Sequence, residues 1–306
     1  MALRDGVWGC LSFVNRCWPL RKPQRCKEPQ VTPDPPARPK REWDSPSQKR
    51  ARKQRQGWEV LEEDGVQWLH IGNGWLPPMV EVPLHLQIGD RQFRRLVKPP
   101  TVEALWEWYE EHGKASSDPS WAQVWPCCAA LAQHVATHPE LVRRRRVFEL
   151  GAGLGVPSIA AALAGARDVL LLDREPLALH CAASTAAVHN LPVASVNDES
   201  AADNAVRAAV YDWAEPQNFN VRAEVVLASE VLYDCREAQD VAVAALRLMG
   251  GGQGRVLIAD PRKERLPGTR DVLAQRFRQA GATVEIYEVP TPNLGEGLAD
   301  QENVVL

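Results

Sequence analysis

The chain has 306 residues, 45% of them hydrophobic and 25% charged, enough to bury one sizeable core and still leave a tail. No apolar run reaches the roughly 18 to 20 residues that a membrane span needs, because the richest stretch, Ile159 to Leu172, is interrupted by Arg167 and Asp168. The net charge of −3 is split unevenly: residues 1–56 carry 14 Lys/Arg against 5 Asp/Glu, and the remainder is acidic, 22 against 34. An acidic body argues against an enzyme of duplex nucleic acid, whose phosphate contacts need a basic face.

In chain order, residues 1–56 mix proline, serine and Lys/Arg without hydrophobic periodicity, and read as a disordered or targeting tail. Two addresses compete for it: a basic organelle presequence (mitochondrion or chloroplast), or a bipartite nuclear signal at Lys40-Arg41 and Lys49-Arg50-Ala51-Arg52-Lys53. The choice stays open, as does a plain solvated charge run. Residues 57–120 read as a hairpin-and-helix extension. Val80, Val82, Leu84, Leu86 and Ile88 alternate with polar residues, Gly89-Asp90 turns, and Phe93 to Val97 resumes the strand. Thr101 then caps a helix through Trp106 and Trp108 that ends near Gly113. These two tryptophans cannot both face inward on one helix, so one is expected outside.

A second helix is expected over Pro126 to His138. Strands follow at Arg146 to Leu150, Val169 to Asp173, Val193 to Asn197 or Ala208 to Tyr211, Glu224 to Ser229, Gly254 to Ala259 and Thr283 to Val289, separated by helical stretches. That alternation predicts an α/β fold with a doubly wound, mostly parallel sheet and helices on both faces. The closing strand near Glu302 to Leu306 reads as short.

The chemistry concentrates in Glu149-Leu150-Gly151-Ala152-Gly153-Leu154-Gly155. Glycines between a strand and a helix let the backbone turn tightly against a ligand, and the helix behind them offers N–H groups to its polar end. A dinucleotide fingerprint would want a small residue at 156, where Val156 stands, so the loop favours a different nucleoside cofactor. Asp173, at the end of the second strand, is placed to hold ribose hydroxyls or to cap the next helix. Trp213, after a short strand, can offer its indole face to adenine or pack in the core, and Asp212 can accept from the adenine amino group. Seven cysteines show no CxxC pair, and vicinal Cys127 and Cys128 read as packing thiols. His134 and His138 lack an acidic third ligand and read as surface residues, so no metal site is expected. Asp260-Pro261 is followed by Arg262-Lys263 and reads as a strand-end turn.

Trp121-Ala122-Gln123-Val124-Trp125-Pro126, the glycine loop, and Glu230-Val231-Leu232-Tyr233 after the strand ending at Ser229 together resemble the family 16 seven-β-strand methyltransferases, which include protein lysine methyltransferases. Within it, Trp125-Pro126 with His138-Pro139-Glu140, and Val256 to Pro261, are similar to the electron-transfer-flavoprotein β-subunit lysine methyltransferase group and its bacterial and plant relatives. Glu230 stands where that group has aspartate. The resemblance spans Pro99 to Gln279 and implies a Rossmann-like seven-strand sheet in a methyltransferase domain over residues 121–306. It implies S-adenosylmethionine held by Trp125, Gly151, Ala152, Gly153, Asp173, Trp213 and Ser229, with Glu230 and Tyr233 on the catalytic side.

The expected activity is therefore methyl transfer to nitrogen, with lysine side chains of a non-histone protein as acceptor and a monomer as the working unit. A small-amine methyltransferase of the nicotinamide type and a non-catalytic cofactor-binding interaction module are the alternatives.

Overall fold

The computed structural model describes residues 58–63, 66–71, 77, 79–194, 204–215, 219–250, 254–295 and 303–306. The basic tail expected over 1–56 lies outside the described residues.

The centre is a sheet of seven strands: β5 (Arg146–Leu150), β6 (Asp168–Asp173), β7 (Ala205–Val210), β8 (Val225–Ser229), β9 (Arg255–Pro261), β10 (Glu288–Pro290) and β11 (Asn303–Val305). Their spatial order is β10-β11-β9-β8-β5-β6-β7. The first five run parallel, and β11 and β10 are antiparallel additions beside β9. The central strands are near-continuous apolar runs because both of their faces are covered. Alternate residues divide between two cores. Val147, Val169, Leu171, Val225 and Leu227 face one side; Phe148, Leu150, Leu170, Leu172 and Val226 face the other.

The first face is packed by helices α2 (Pro126–Thr137), α3 (Val156–Leu163) and α4 (Pro176–Val188). The second is packed by α5 (Cys235–Met249) and α6 (Thr269–Gln279). Each start has a local cause. Proline at the first turn opens α2, α3 and α4, where its missing N–H costs nothing. The Asp234 carboxylate accepts from the Arg236 and Glu237 amides at the head of α5, and Gly250 ends that helix in a left-handed conformation.

Before the sheet come β3 (Val80–Ile88) and β4 (Arg91–Lys98), an antiparallel hairpin turning at Gly89-Asp90, as expected. Helix α1 (Val102–Glu111) follows, its Thr101 hydroxyl accepting from the Ala104 amide. Trp108 is buried in α1 while Trp106 is 50% exposed, its indole N–H bonded to Glu110, so the expected division between the two tryptophans holds. The hairpin lies on α4: the Val97 amide donates to Thr185 Oγ1 at 3.0 Å, and the Arg94 amide to His189 Nε2 at 3.0 Å.

The structure corrects three expectations. The extension holds a further antiparallel hairpin, β1 (Trp58–Glu63) with β2 (Val66–Ile71), which alternation from Val80 onward did not reveal. Of the two candidates for the strand after β6, the second forms one, over Ala205–Val210; of the first, Val193 makes a bridge to Val206 and residues 195–197 lie outside the described residues. The strand expected over Thr283 to Val289 is instead Glu288–Pro290, paired antiparallel with β11, which enters between β9 and β10; Tyr287 and Leu306 exchange backbone hydrogen bonds just beyond it.

Thr185 is fully buried and joins the hairpin to α4. Thr185→Val keeps the shape and orphans the Val97 amide, so stability should fall by about 1–3 kcal/mol in urea denaturation. A loss below about 0.5 kcal/mol would show that apolar packing alone holds the hairpin.

Candidate functional site

A cavity of about 740 Å³ opens at the carboxyl ends of β5, β6 and β8, in the range that accommodates a nucleoside-sized ligand. Its floor is the glycine loop after β5. Gly151 has φ +62°, and a Cβ there would meet Val231 Cγ1 at 2.9 Å and the Trp213 ring at 3.1 Å, so both the turn and the close packing require glycine. Gly155 is also left-handed, with Ala182 and Leu171 filling the space where a side chain would stand. Asp173 pins the loop: Oδ2 accepts from the Gly153 amide at 2.7 Å and Oδ1 from the Glu175 amide at 2.9 Å. Burial pushes the Asp173 carboxyl up, and these amide bonds oppose the shift.

The helix end behind the loop is already engaged. The Ser158 amide donates to Glu149 Oε2 at 3.1 Å. The sequence suggested an open N-terminus for a ligand; instead the strand's own carboxylate folds back onto it. Glu149 is fully buried, and its Oε1 has no hydrogen-bond partner among the described residues. Burial pushes this carboxyl up to about 8.

Trp213 lines one wall, with Ser229 and Tyr211 beside it. Tyr211 is 2% exposed, and its buried hydroxyl has no partner among the described residues. Trp125 stands opposite at the head of α2, its indole N–H donating to the Ser120 carbonyl at 3.1 Å. All the positions singled out in the sequence, Trp125, Gly151, Ala152, Gly153, Asp173, Trp213, Ser229, Glu230 and Tyr233, line this one cavity.

The mouth is formed by Glu230 and Tyr233. Glu230 is 6% exposed, and its backbone is left-handed at φ +55°, a conformation that costs a non-glycine residue energy and recurs at functional sites. Its Oε1 accepts from the Cys127 amide at 3.2 Å and its Oε2 from Arg265 Nη2 at 2.6 Å. The Arg265 guanidinium also lies 5.1 Å from the Tyr233 ring centre and 5.5 Å from that of Trp125.

Sequence reasoning missed Arg265, which sits in an irregular run of charged residues with no motif to mark it. It also missed Glu175, at the cap of α4. Glu175 lines the cavity and interacts with buried Lys114; burial raises the carboxyl and lowers the ammonium, while each charge favours the other.

Two residue readings change. His134 and His138 are half-buried and stacked with ring centres 4.3 Å apart, and burial lowers His134 to about 4. Asp260 is not a turn residue but a buried member of β9, paired with Arg270 at 2.9 Å. Cys127 and Cys128 are buried, as packing thiols should be. Among the described residues no cluster of His, Cys, Asp and Glu could hold a metal, and no helix is long and apolar enough to cross a membrane.

Comparison with known proteins agrees with this arrangement. The model of the lysine methyltransferase family matches residues 109–267, more than half of the chain, and the chain belongs to that family. The electron transfer flavoprotein beta subunit lysine methyltransferase of Rattus norvegicus is 42% identical over 62 residues, 20% of this chain and 24% of that protein. The histone-arginine methyltransferase METTL23 of Xenopus laevis is 28% identical over 133 residues, 41% of this chain and 50% of that one. The chain thus spans about a quarter of the rat relative's length and half of the frog relative's. Among solved structures, a putative RNA methyltransferase from Pyrococcus horikoshii superposes with TM-score 0.41 at 17% identity, covering 57% of this chain and 81% of that one.

Glu149 gives the site a pH signature. Its folded value, about 8, lies above the ordinary 4.5, so the folded state holds the proton more tightly. The stability this contributes is complete below pH 4.5 and is lost as pH rises through about 8. Glu149→Gln should flatten the thermal-melting profile between pH 4.5 and about pH 8. Parallel profiles for the two proteins would show that Glu149 is ionised throughout.

Proposed function

We propose that this protein transfers a methyl group from S-adenosylmethionine to the ε-amine of a lysine in another, non-histone protein. The observation that carries this reading is the convergence of a glycine-loop nucleoside site and a carboxylate-and-aromatic mouth on one cavity. Family membership and the names of the relatives support it.

The cavity's residues suit the cofactor. Asp173 retains lone pairs beyond its two amide bonds for ribose hydroxyls. The Trp213 face suits a flat base, with Asp212 exposed beside it. Trp125, Ser229 and the loop from Gly151 to Gly153 complete the walls. When bound, the sulfonium supplies an activated methyl group for in-line attack by a neutral amine.

That chemistry asks little of acids and bases and much of positioning. Glu230 and Tyr233 stand where they can orient the incoming amine: the carboxylate fixes its nitrogen before the proton leaves, and the aromatic ring confines its stem. Residues 1–56 supply an address, to an organelle or the nucleus, that a fluorescent fusion of that segment would reveal.

Calorimetry should show S-adenosylmethionine binding that Gly153→Arg abolishes, because the new side chain would enter the cavity floor. With labelled cofactor and a cell extract, label should appear on a protein band and fall about 10²-fold in Tyr233→Ala, the scale expected for a misplaced acceptor. Label confined to the small-molecule fraction would overturn the protein acceptor, and absence of cofactor binding would overturn the whole reading.

A further inference from the structure

Arg265 occupies a box with the chemistry of a cation receptor. Two aromatic rings, Trp125 and Tyr233, stand 5.5 and 5.1 Å from its guanidinium carbon. The nine-tenths-buried Glu230 carboxylate accepts from it at 2.6 Å. Ring faces attract organic cations, and a buried carboxylate adds a charge-assisted hydrogen bond.

Two walls of the box are tied in place, and its occupant comes from an exposed segment. Trp125 is tied to Ser120, and the Glu230 backbone is held by its amide bond to Ala259. Arg265, by contrast, comes from the exposed segment between β9 and α6, where Arg262, Lys263 and Leu266 are also exposed. Its own side chain is 34% exposed, so it can swing out without opening the core.

We propose that Arg265 is a resident stand-in for the acceptor's cationic side chain, and that the acceptor binds by displacing the guanidinium from the box of Trp125, Tyr233 and Glu230. This rests on the reading of the cavity as a site of methyl transfer to nitrogen. While Arg265 is in place, both Glu230 oxygens are engaged and an incoming ammonium cannot reach them. An empty box would leave a buried carboxylate uncompensated, so one cation or another must fill it.

The consequence is selectivity. A competitor tethered to its own site acts at an effective concentration on the order of millimolar. A free amine has little beyond its charge with which to displace it, whereas a lysine carried on a protein adds contacts outside the box. Arg265 thereby favours macromolecular acceptors over small ones.

The test uses n-butylammonium, the lysine side chain alone, titrated by NMR into the full-length wild type, Arg265→Ala, Arg265→Gln and the double variant Arg265→Ala/Glu230→Gln. S-adenosylmethionine binding is measured by calorimetry on the same preparations. Removing the internal occupant should raise affinity for n-butylammonium by about tenfold or more, the factor by which an occupied site weakens apparent binding. The double variant should lose that gain. The glutamine variant preserves side-chain length in case the alanine variant fails to fold. Unchanged n-butylammonium affinity in the folded single variants, with cofactor binding intact, would overturn the displacement proposal alone. Absence of cofactor binding in the wild type would instead overturn the methyl-transfer reading on which it rests.

Discussion

The bond from the Gly153 amide to the Asp173 carboxylate ties together the parts on which the site depends. It joins the loop after β5 to the end of β6, and the same carboxylate also accepts from the Glu175 amide at the start of α4. One buried side chain thus sets the height of the loop and the start of the next helix. The left-handed turn at Gly151 makes the geometry possible, bringing the backbone against Trp213 where a Cβ would collide. Cavity floor and wall therefore follow from one strand end and two glycines.

Charge is organised around that floor in two layers. Behind the loop, Glu149 is sealed into the core against the head of α3, where burial favours its protonated form. In front, Glu230 is also buried, but it is met by Arg265 and by the Cys127 amide. The rear carboxyl is packed inside the fold, while the front one lines the cavity. The strained backbone at Glu230 belongs to the second role, since the amide bond to Ala259 holds the residue where its side chain meets both Cys127 and the cavity.

The hairpin of β3 and β4 and helix α1 are more than an appendage. Hairpin residues Leu84, Leu86, Phe93 and Leu96 share a core with α2, α3 and α4, and Tyr109 in α1 accepts from the Trp121 indole at 3.0 Å. The segment leading to Trp125 is therefore braced from the N-terminal side. One flank of the cation box is held by residues well before the glycine loop.

The sequence by itself determined the sheet and the place of the site. Short apolar strand runs alternating with helical stretches specify a doubly wound sheet, the glycine loop and Asp173 mark strand ends through local backbone chemistry, and Glu230 to Tyr233 were marked by the family resemblance. Which wall residues share a cavity followed from the resemblance to the methyltransferase family, not from local pattern. Pairing at the sheet's far edge was decided by tertiary structure: alternation from Thr283 onward suits a strand, but the insertion of β11 between β9 and β10 sets its partner. The partners of Glu149, Glu175 and Glu230 were likewise decided there. Arg265 lies 35 residues from Glu230 in the chain, and no local pattern encodes that meeting. Which charges neutralise one another depends on burial and distance in space, quantities that no local pattern along the chain specifies.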